Sequence, residues 1–157
     1  MRATLKHLLA ESIKTNPKII VVTSDLGYKM WDSIRDTHPE NFINVGASEQ
    51  LMIGMCVGLS YNGFTPIAYS ITPFALYRPF ELLRNYLSHE RANVKIVGSG
   101  LFTDYSHDGF SHHDFTSEEI LKTLNIPNYS PGSIEGLKLI YQHWINEVGP
   151  SFLGLRR

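Results

Sequence analysis

The sequence predicts an α/β protein of three layers, in which an open and mostly parallel β-sheet carries helices on both faces. Helical and strand patterns alternate along the whole chain, as they do in sheets built from parallel strands and crossover helices. The chain has 157 residues, the usual size of a single domain, and contains no internal repeat or interdomain linker. We therefore expect one domain over residues 1–157, with ligands bound at the carboxyl ends of its strands.

The first half of the chain begins with a helix and contains three strand patterns. The helix ends at Asn16-Pro17 and is predicted by apolar residues at helical spacing, which are Leu5, Leu8, Leu9 and Ile13. The β-branched run KIIVVT at 18–23 predicts the first strand. FINV at 42–45 and TPIAYS at 65–70 predict the second and third strands.

Between the second and third strands, the pattern predicts a helix over Ser48–Tyr61, which Asn62-Gly63 ends. This helix is apolar nearly all round, since small residues alone interrupt its run of large apolar side chains. We expect the helix to be buried on every side, because it lies either in the centre of the domain or against another subunit.

The second half of the chain continues the alternation of helix and strand. A helix is predicted around Pro79–His89, followed by the strand NVKIVG at 93–98. Thr116 to Glu119 has the spacing of a capping box that opens the helix EEILKTL. A last helix, GSIEGLKLIYQHWINEV at 132–148, leads into the strand SFLGLR at 151–156.

The composition limits the classes of function. The net charge is −1 and no basic run is longer than Arg156-Arg157, so we expect neither nucleic-acid nor membrane binding. Charged residues make up only 18% of the chain, which suggests that a partner chain covers part of the surface. Cys56 is the single cysteine and lies in an apolar stretch, as expected for a buried thiol in a reducing cytoplasm. No apolar run is long enough for a signal peptide or a membrane span.

Glu49 is the most informative single residue, because it lies at the start of the apolar helix and just after the strand FINV. One interpretation is an ordinary acidic residue in the first turn, which complements the helix dipole. The other is a buried catalytic acid that shares a proton with a ligand. The position alone does not decide between them.

The long loop Ser99–Phe115 concentrates polar and titratable side chains. They are Asp104, His107, Asp108, His112, His113 and Asp114. A metal site is one interpretation, although the spacing matches no known ligand pattern. A solvated surface loop is the second, and a set of donors for a hydroxylated or phosphorylated substrate is the third.

Several motifs resemble the pyrimidine-binding domain of transketolases. The segment NVGASEQLMIGMCVGLSYNGFTPIAYSITPF at 44–74 resembles the family's Gly-x-x-Glu, Gly-spaced apolar helix, Gly turn, Pro and aromatic segment. PFELLRNYLSHERANVKIVGS at 79–99 resembles the next helix and strand, and Ser24-Asp25-Leu26 resembles an Ala-Asp-Leu motif. DGFSHH at 108–113 is similar to Asp-Gly-Pro-Thr-His-Gln, and SFLGLRR resembles the closing strand. The resemblance covers nearly the whole chain.

The resemblance implies thiamine diphosphate as the cofactor. Glu49 corresponds to the glutamate that hydrogen-bonds N1′ of the aminopyrimidine, so that the ring can take up the C2 proton of the thiazolium. Phe74, with Ile71 and Tyr77 on either side, corresponds to the apolar pocket of the pyrimidine, although the family usually has an aromatic residue where Ile71 stands. Asp25 corresponds to an acid near the diphosphate and thiazolium.

The resemblance also implies substrate contacts. His112 corresponds to a histidine that contacts donor-substrate oxygens in catalysis, Asp108 to an acid that binds a sugar hydroxyl, and Arg2 to an arginine that binds substrate phosphate. A terminal arginine is, however, usually just solvated. The sequence departs from the family at Phe110, which replaces Pro, and at His113, which replaces Gln. His107 stands where an acid is common.

A diphosphate site is absent from the sequence. The family holds the diphosphate through Mg²⁺ on a separate domain with Gly-Asp-Gly followed by Asn, and no such motif occurs here. The resemblance therefore implies a stand-alone subunit of a split transketolase-like enzyme that transfers a two-carbon ketol or acyl unit. Its partner is an amino-terminal-type subunit that supplies Mg²⁺. From the apolar surface of the helix over Ser48–Tyr61 we expect a symmetric assembly of two copies of each chain. The alternatives are a component of a 2-oxoacid decarboxylase or dehydrogenase, a deoxyxylulose-phosphate-type synthase, and a non-catalytic regulatory module.

Overall fold

The computed structural model describes all residues from 1 to 157 and contains a six-stranded sheet in the order β2-β1-β3-β4-β6-β5. Every neighbouring pair is parallel, so the predicted open parallel sheet is confirmed. The strands are β1 (Ile19–Thr23), β2 (Phe42–Asn44), β3 (Thr65–Ile71), β4 (Lys95–Ser99), β5 (Asn128–Tyr129) and β6 (Ser151–Leu155). Strands β1, β4 and β6 are buried along their whole length, which explains their continuous apolar sequences.

Helices connect the strands and cover both faces of the sheet. They are α1 (Arg2–Thr15), α2 (Asp32–Thr37), α3 (Glu49–Tyr61), α4 (Thr72–Tyr77), α5 (Phe80–Leu82), α6 (Ser117–Thr123) and α7 (Ile134–Asn146). The short α5 continues as a π-helix over Leu83–His89. Short 3₁₀ turns lie at Pro39–Asn41, Ser106–Asp108 and Phe110–His112. No helix is long and apolar enough to cross a membrane.

Two hydrophobic cores lie on opposite faces of the sheet. One core joins side chains of β1, β3 and β4 to α3, the π-helix and α6. The other joins alternate side chains of the same strands to α1 and α7, with Trp31 and Ile34 of the α2 region. Because successive side chains of a strand point to opposite faces, the molecule has the three predicted layers.

The structure excludes one of the two positions expected for the helix over 48–61, the centre of the domain, because this chain covers only one of its faces. Its inner face packs on the sheet through Met52, Ile53, Cys56 and Val57. Its outer face is solvent-exposed and includes Leu51, whose exposed fraction is 51%. The helix is therefore apolar on a face that this chain does not cover.

The predicted capping box at Thr116 is also wrong, because the Thr116 side chain makes no capping hydrogen bond. The carboxylate of Asp114 takes that role and accepts hydrogen bonds from the backbone N–H of Ser117 at 3.1 Å and from its hydroxyl at 2.7 Å. Asp114 is buried and belongs to the loop Ser99–Phe115, which we call the polar loop. One of the loop's acids is therefore structural.

Candidate functional site

Glu49 lies in the first turn of α3, and its side chain is only 3% exposed. Its Oε1 accepts hydrogen bonds from the hydroxyl of Ser24 at 3.1 Å and from that of Ser70 at 3.3 Å. Ser24 directly follows β1, and Ser70 is the penultimate residue of β3. Parallel strands end at the same edge of the sheet, and this brings two distant hydroxyls to one carboxylate oxygen.

The second oxygen of Glu49 is paired with Arg78, which directly follows α4. Arg78 Nη1 lies 2.8 Å from Glu49 Oε2. The guanidinium carbon lies 3.7 Å from the centre of the Phe74 ring, a close cation–π contact. The His112 ring meets Phe74 edge-on, with centroids 4.8 Å apart and an interplanar angle of 65°. We call Glu49, Arg78, Phe74 and His112 the Glu49 cluster.

The Glu49 cluster fits an aminopyrimidine. A buried carboxylate oxygen beside an aromatic ring suits a flat heterocycle that stacks on the ring and bonds the oxygen through a nitrogen. The planar, nitrogen-rich guanidinium of Arg78 already has both contacts. The geometry around Glu49 therefore offers the two contacts that such a group needs, at a position that the guanidinium of Arg78 fills.

The other residues predicted for the cofactor have different surroundings. Asp25 follows Ser24 and is exposed, with its N–H donating to Asn44 Oδ1 at 2.9 Å. Ile71 is buried at the end of β3, one residue after Ser70. Tyr77 is half-exposed and lines a separate concavity of about 370 Å³ with Phe110 and other residues of the polar loop. Of the three residues predicted for the pyrimidine pocket, Phe74 alone belongs to the Glu49 cluster.

The residues predicted for the substrate gather on the polar loop. His112 belongs to the Glu49 cluster, and its Nδ1 lies 3.0 Å from the hydroxyl of Ser111. Asp108 is exposed, with Oδ2 at 3.2 Å from His107 Nε2. Arg2 Nη1 donates to the hydroxyl of Tyr105 at 3.4 Å. The loop therefore connects the amino terminus of the chain to the Glu49 cluster.

Asp104 links the polar loop to the end of β6 through an ion pair with Arg156. Its carboxylate forms a bidentate ion pair with Arg156, at 2.9 and 2.7 Å, and accepts from the backbone N–H of Leu101 at 3.1 Å. Burial favours a higher pKa for Asp104, but the hydrogen bonds from Arg156 and two backbone N–H groups outweigh burial and lower the pKa. No group of three or more His, Cys, Asp or Glu residues is placed to hold a metal ion.

Sequence reasoning missed three residues of the site. Ser24 and Ser70 stand at the carboxyl ends of two predicted strands, a position that could have marked them. The sequence pattern indicates Arg78 less clearly, because its only distinction is that it is a single cation between two apolar segments.

The comparisons with known proteins agree in family and fold. Residues 1–153 match the family model "Transketolase, pyrimidine binding domain". A putative transketolase C-terminal section from Methanocaldococcus jannaschii is 35% identical over 129 residues, which are 82% of this chain and 40% of that protein. The 6-deoxy-6-sulfo-D-fructose transketolase subunit SqwH from a Clostridium species is 27% identical, over 100% of this chain and 49% of that protein.

Among solved structures, a split gene transketolase described as an inactive beta4 tetramer superposes with a TM-score of 0.87. It is 28% identical, and the match covers 99% of this chain and 50% of that one. The chain spans less than half the length of the curated relatives that it matches. On the family match, the relatives and the shared fold, this chain belongs to the transketolase family and forms its pyrimidine-binding domain.

Proposed function

We propose that this chain supplies half of a thiamine-diphosphate site in a split transketolase-like enzyme that transfers a two-carbon ketol or acyl unit. The observation that carries the proposal is the Glu49 cluster, in which one guanidinium contacts both a buried carboxylate oxygen and the face of an aromatic ring. Both features suit the aminopyrimidine of the cofactor.

The residues of the cluster have distinct tasks in this proposal. When bound, thiamine diphosphate supplies the reactive C2 carbon of its thiazolium ring, which carries the two-carbon unit. Glu49 exchanges a proton at N1′ through Oε2, while Ser24 and Ser70 hold Oε1. Phe74 supports the pyrimidine ring, and His112, at its edge, contacts oxygens of the donor substrate.

The second half of the site comes from a diphosphate-binding subunit of the transketolase amino-terminal type, which holds Mg²⁺. Relatives whose names include "subunit" or "C-terminal section" support this division. The structural neighbour described as a beta4 tetramer is called inactive, as expected if a second type of chain is required. We propose an assembly of two copies of each chain, in which the exposed apolar face of α3 lies at the interface.

The proposed substrate is a sugar or sugar phosphate. Asp108 would bind a hydroxyl group and Arg2 an anionic end of the substrate, since both lie on or against the polar loop that carries His112. Cys56, a buried single thiol, is compatible with the cytoplasm as the site of action.

Replacement of Glu49 by Gln in the assembled enzyme tests the proposal. Gln keeps the size of the side chain but cannot exchange the proton at N1′, and loss of such a group commonly costs about two to four powers of ten in rate. We expect hydrogen–deuterium exchange at C2 of the bound cofactor, followed by NMR, to slow on that order while assembly is retained. Exchange at the wild-type rate would reduce Glu49 to an ordinary acidic residue of a first helical turn.

His112→Ala is the matched control. Its proposed contacts are to substrate oxygens and not to the cofactor ring, so C2 exchange should keep the wild-type rate while donor turnover falls. Slower exchange in this variant would contradict the division of tasks between the two residues.

A further inference from the structure

Arg78 makes the same two contacts that an aminopyrimidine requires. Its Nη1 donates to Glu49 Oε2 at 2.8 Å, and its guanidinium carbon lies 3.7 Å from the centre of the Phe74 ring. A guanidinium is planar, and its N–H groups match a carboxylate in the plane. Arg78 therefore satisfies the carboxylate and the aromatic face together.

A cofactor ring and the guanidinium cannot occupy this position at the same time. Oε1 of Glu49 is held by the hydroxyls of Ser24 and Ser70, so Oε2 is the oxygen that a ligand must meet. A ring that stacks on Phe74 while it bonds Oε2 needs the volume that the guanidinium fills.

The two members of the ion pair differ in their freedom to move. Glu49 is 3% exposed and fixed by α3, whereas the side chain of Arg78 is 49% exposed. Arg78 is the residue directly after α4, so its side chain can swing into solvent without opening either core. Without an occupant, the Glu49 carboxylate would be buried beside an apolar ring with one oxygen unpaired, which is unfavourable.

We propose that Arg78 is a further residue of the cofactor site, which holds the place of the aminopyrimidine in the cofactor-free chain and is displaced by the cofactor. The inference rests on the proposed function. It implies that Arg78 stabilises the empty chain and competes with the cofactor. The cofactor then binds only the fraction of molecules in which the guanidinium has moved away, so its measured affinity is lower than the intrinsic affinity of the site.

Calorimetric titration of thiamine diphosphate with Mg²⁺ into the enzyme assembled with its diphosphate-binding subunit tests this inference. We expect Arg78→Gln to lower the dissociation constant about tenfold, as it would if about a tenth of wild-type molecules had the arginine displaced. Arg78→Lys keeps the charge but loses the planar group that stacks on Phe74. Its dissociation constant should lie between those of Arg78→Gln and the wild type. Arg84→Gln is the matched control, because exposed Arg84 donates only to the side chain of Asn85, and should bind like wild type.

A second measurement uses the wild-type protein and so does not depend on the variants folding. The ring current of Phe74 should shift the side-chain NMR signals of Arg78 upfield in the cofactor-free chain. These shifts should disappear when cofactor saturates the assembled enzyme. Arg78 signals that stay shifted in the saturated enzyme would overturn the displacement.

The titration separates the two proposals. A wild-type assembly that binds no thiamine diphosphate would remove the proposed function and the displacement with it. If the wild type binds the cofactor and Arg78→Gln binds it equally well or more weakly, the displacement alone is overturned. Equal affinity would make Arg78 a structural ion-pair partner, and weaker binding would make it a direct contact of the cofactor.

Discussion

Lys95 is a buried cation at the start of β4, on the edge of the sheet opposite the Glu49 cluster. Its side chain is fully buried, and Nζ donates to the carbonyl oxygens of Glu147 at 2.9 Å and Gly149 at 2.8 Å. Burial lowers the pKa of Lys95 from 10.5 to about 8, although the nearby carboxylate of Glu147 opposes the shift. A neutral amine still has two N–H donors, enough for both carbonyls.

We predict that Lys95 makes stability depend on pH under alkaline conditions. The pKa is about 8 in the folded chain against 10.5 ordinarily, so the unfolded chain binds more protons between these values. The free energy of unfolding should therefore gain up to about 3 kcal/mol from this residue as pH rises through the window, with no change below pH of about 8. Urea unfolding of wild type and Lys95→Met at several pH values measures the difference. If the free energy of unfolding had the same dependence on pH in both proteins, the lowered pKa could not belong to Lys95.

Single residues of the site could be predicted only in part. The start of the apolar helix, a local pattern, marks Glu49 as a candidate site residue, but that position alone does not decide whether its side chain is buried. The contacts of Glu49 do not follow from a local pattern, because Ser24, Ser70 and Arg78 come from three other parts of the chain. Their meeting depends on strand order, which the sequence pattern leaves open.

Helix α3 shows how one element serves two surfaces. Met52 and Ile53 are fully buried against the sheet, whereas Leu51 is 51% exposed. On the outer face, a Cβ at Gly58 would meet nothing within 4 Å, and a Cβ at Gly54 would meet only Leu82 Cδ1, at 3.9 Å. A second helix could therefore approach the outer face closely.

We predict that charges on the two faces of α3 have different effects. Met52→Glu should prevent folding, because it buries an unpaired charge. Leu51→Glu should leave the chain folded but weaken assembly, since the charge would enter the proposed interface. Circular dichroism and light scattering after gel filtration with the partner subunit distinguish the two. Leu139 on α7 is 82% exposed, so the control variant Leu139→Glu should affect neither folding nor assembly. Normal assembly of Leu51→Glu would exclude α3 from the interface.

Most elements could be predicted from the sequence, but β5, α2 and α4 could not. Five of the six strands were marked by β-branched or apolar runs, whereas β5 has only Asn128 and Tyr129. Helices α2 and α4 have six residues each, too few for a helical period to stand out. Tertiary packing determines whether such short segments form a helix or a strand. Of these elements, α4 is the one that places Phe74 and Arg78 near Glu49.

For the whole molecule, the proposed division of the site predicts weak cofactor binding by this chain alone. The sequence contains no Gly-Asp-Gly motif followed by Asn, the motif to which the resemblance assigns Mg²⁺ and diphosphate binding, and half a pocket does not offset the cost of ordering the cofactor. We expect a dissociation constant above about 0.1 mM by calorimetry, and tight binding once the diphosphate-binding subunit is added. Tight, Mg²⁺-dependent binding of thiamine diphosphate by the chain alone would contradict the proposal of a split site.

The unequal surroundings of the two Glu49 oxygens give the carboxylate a fixed orientation. Oε1 accepts hydrogen bonds from two serine hydroxyls, and Oε2 accepts one from the guanidinium of Arg78. In a glutamine at this position, the amide oxygen should take the place of Oε1, because it alone can accept from both hydroxyls. The NH₂ group would then face outward, so a hydrogen-bond donor would stand where the natural side chain offers an acceptor. Glu49→Gln thus reverses the polarity of the position, and Arg78 would lose its partner in the same step.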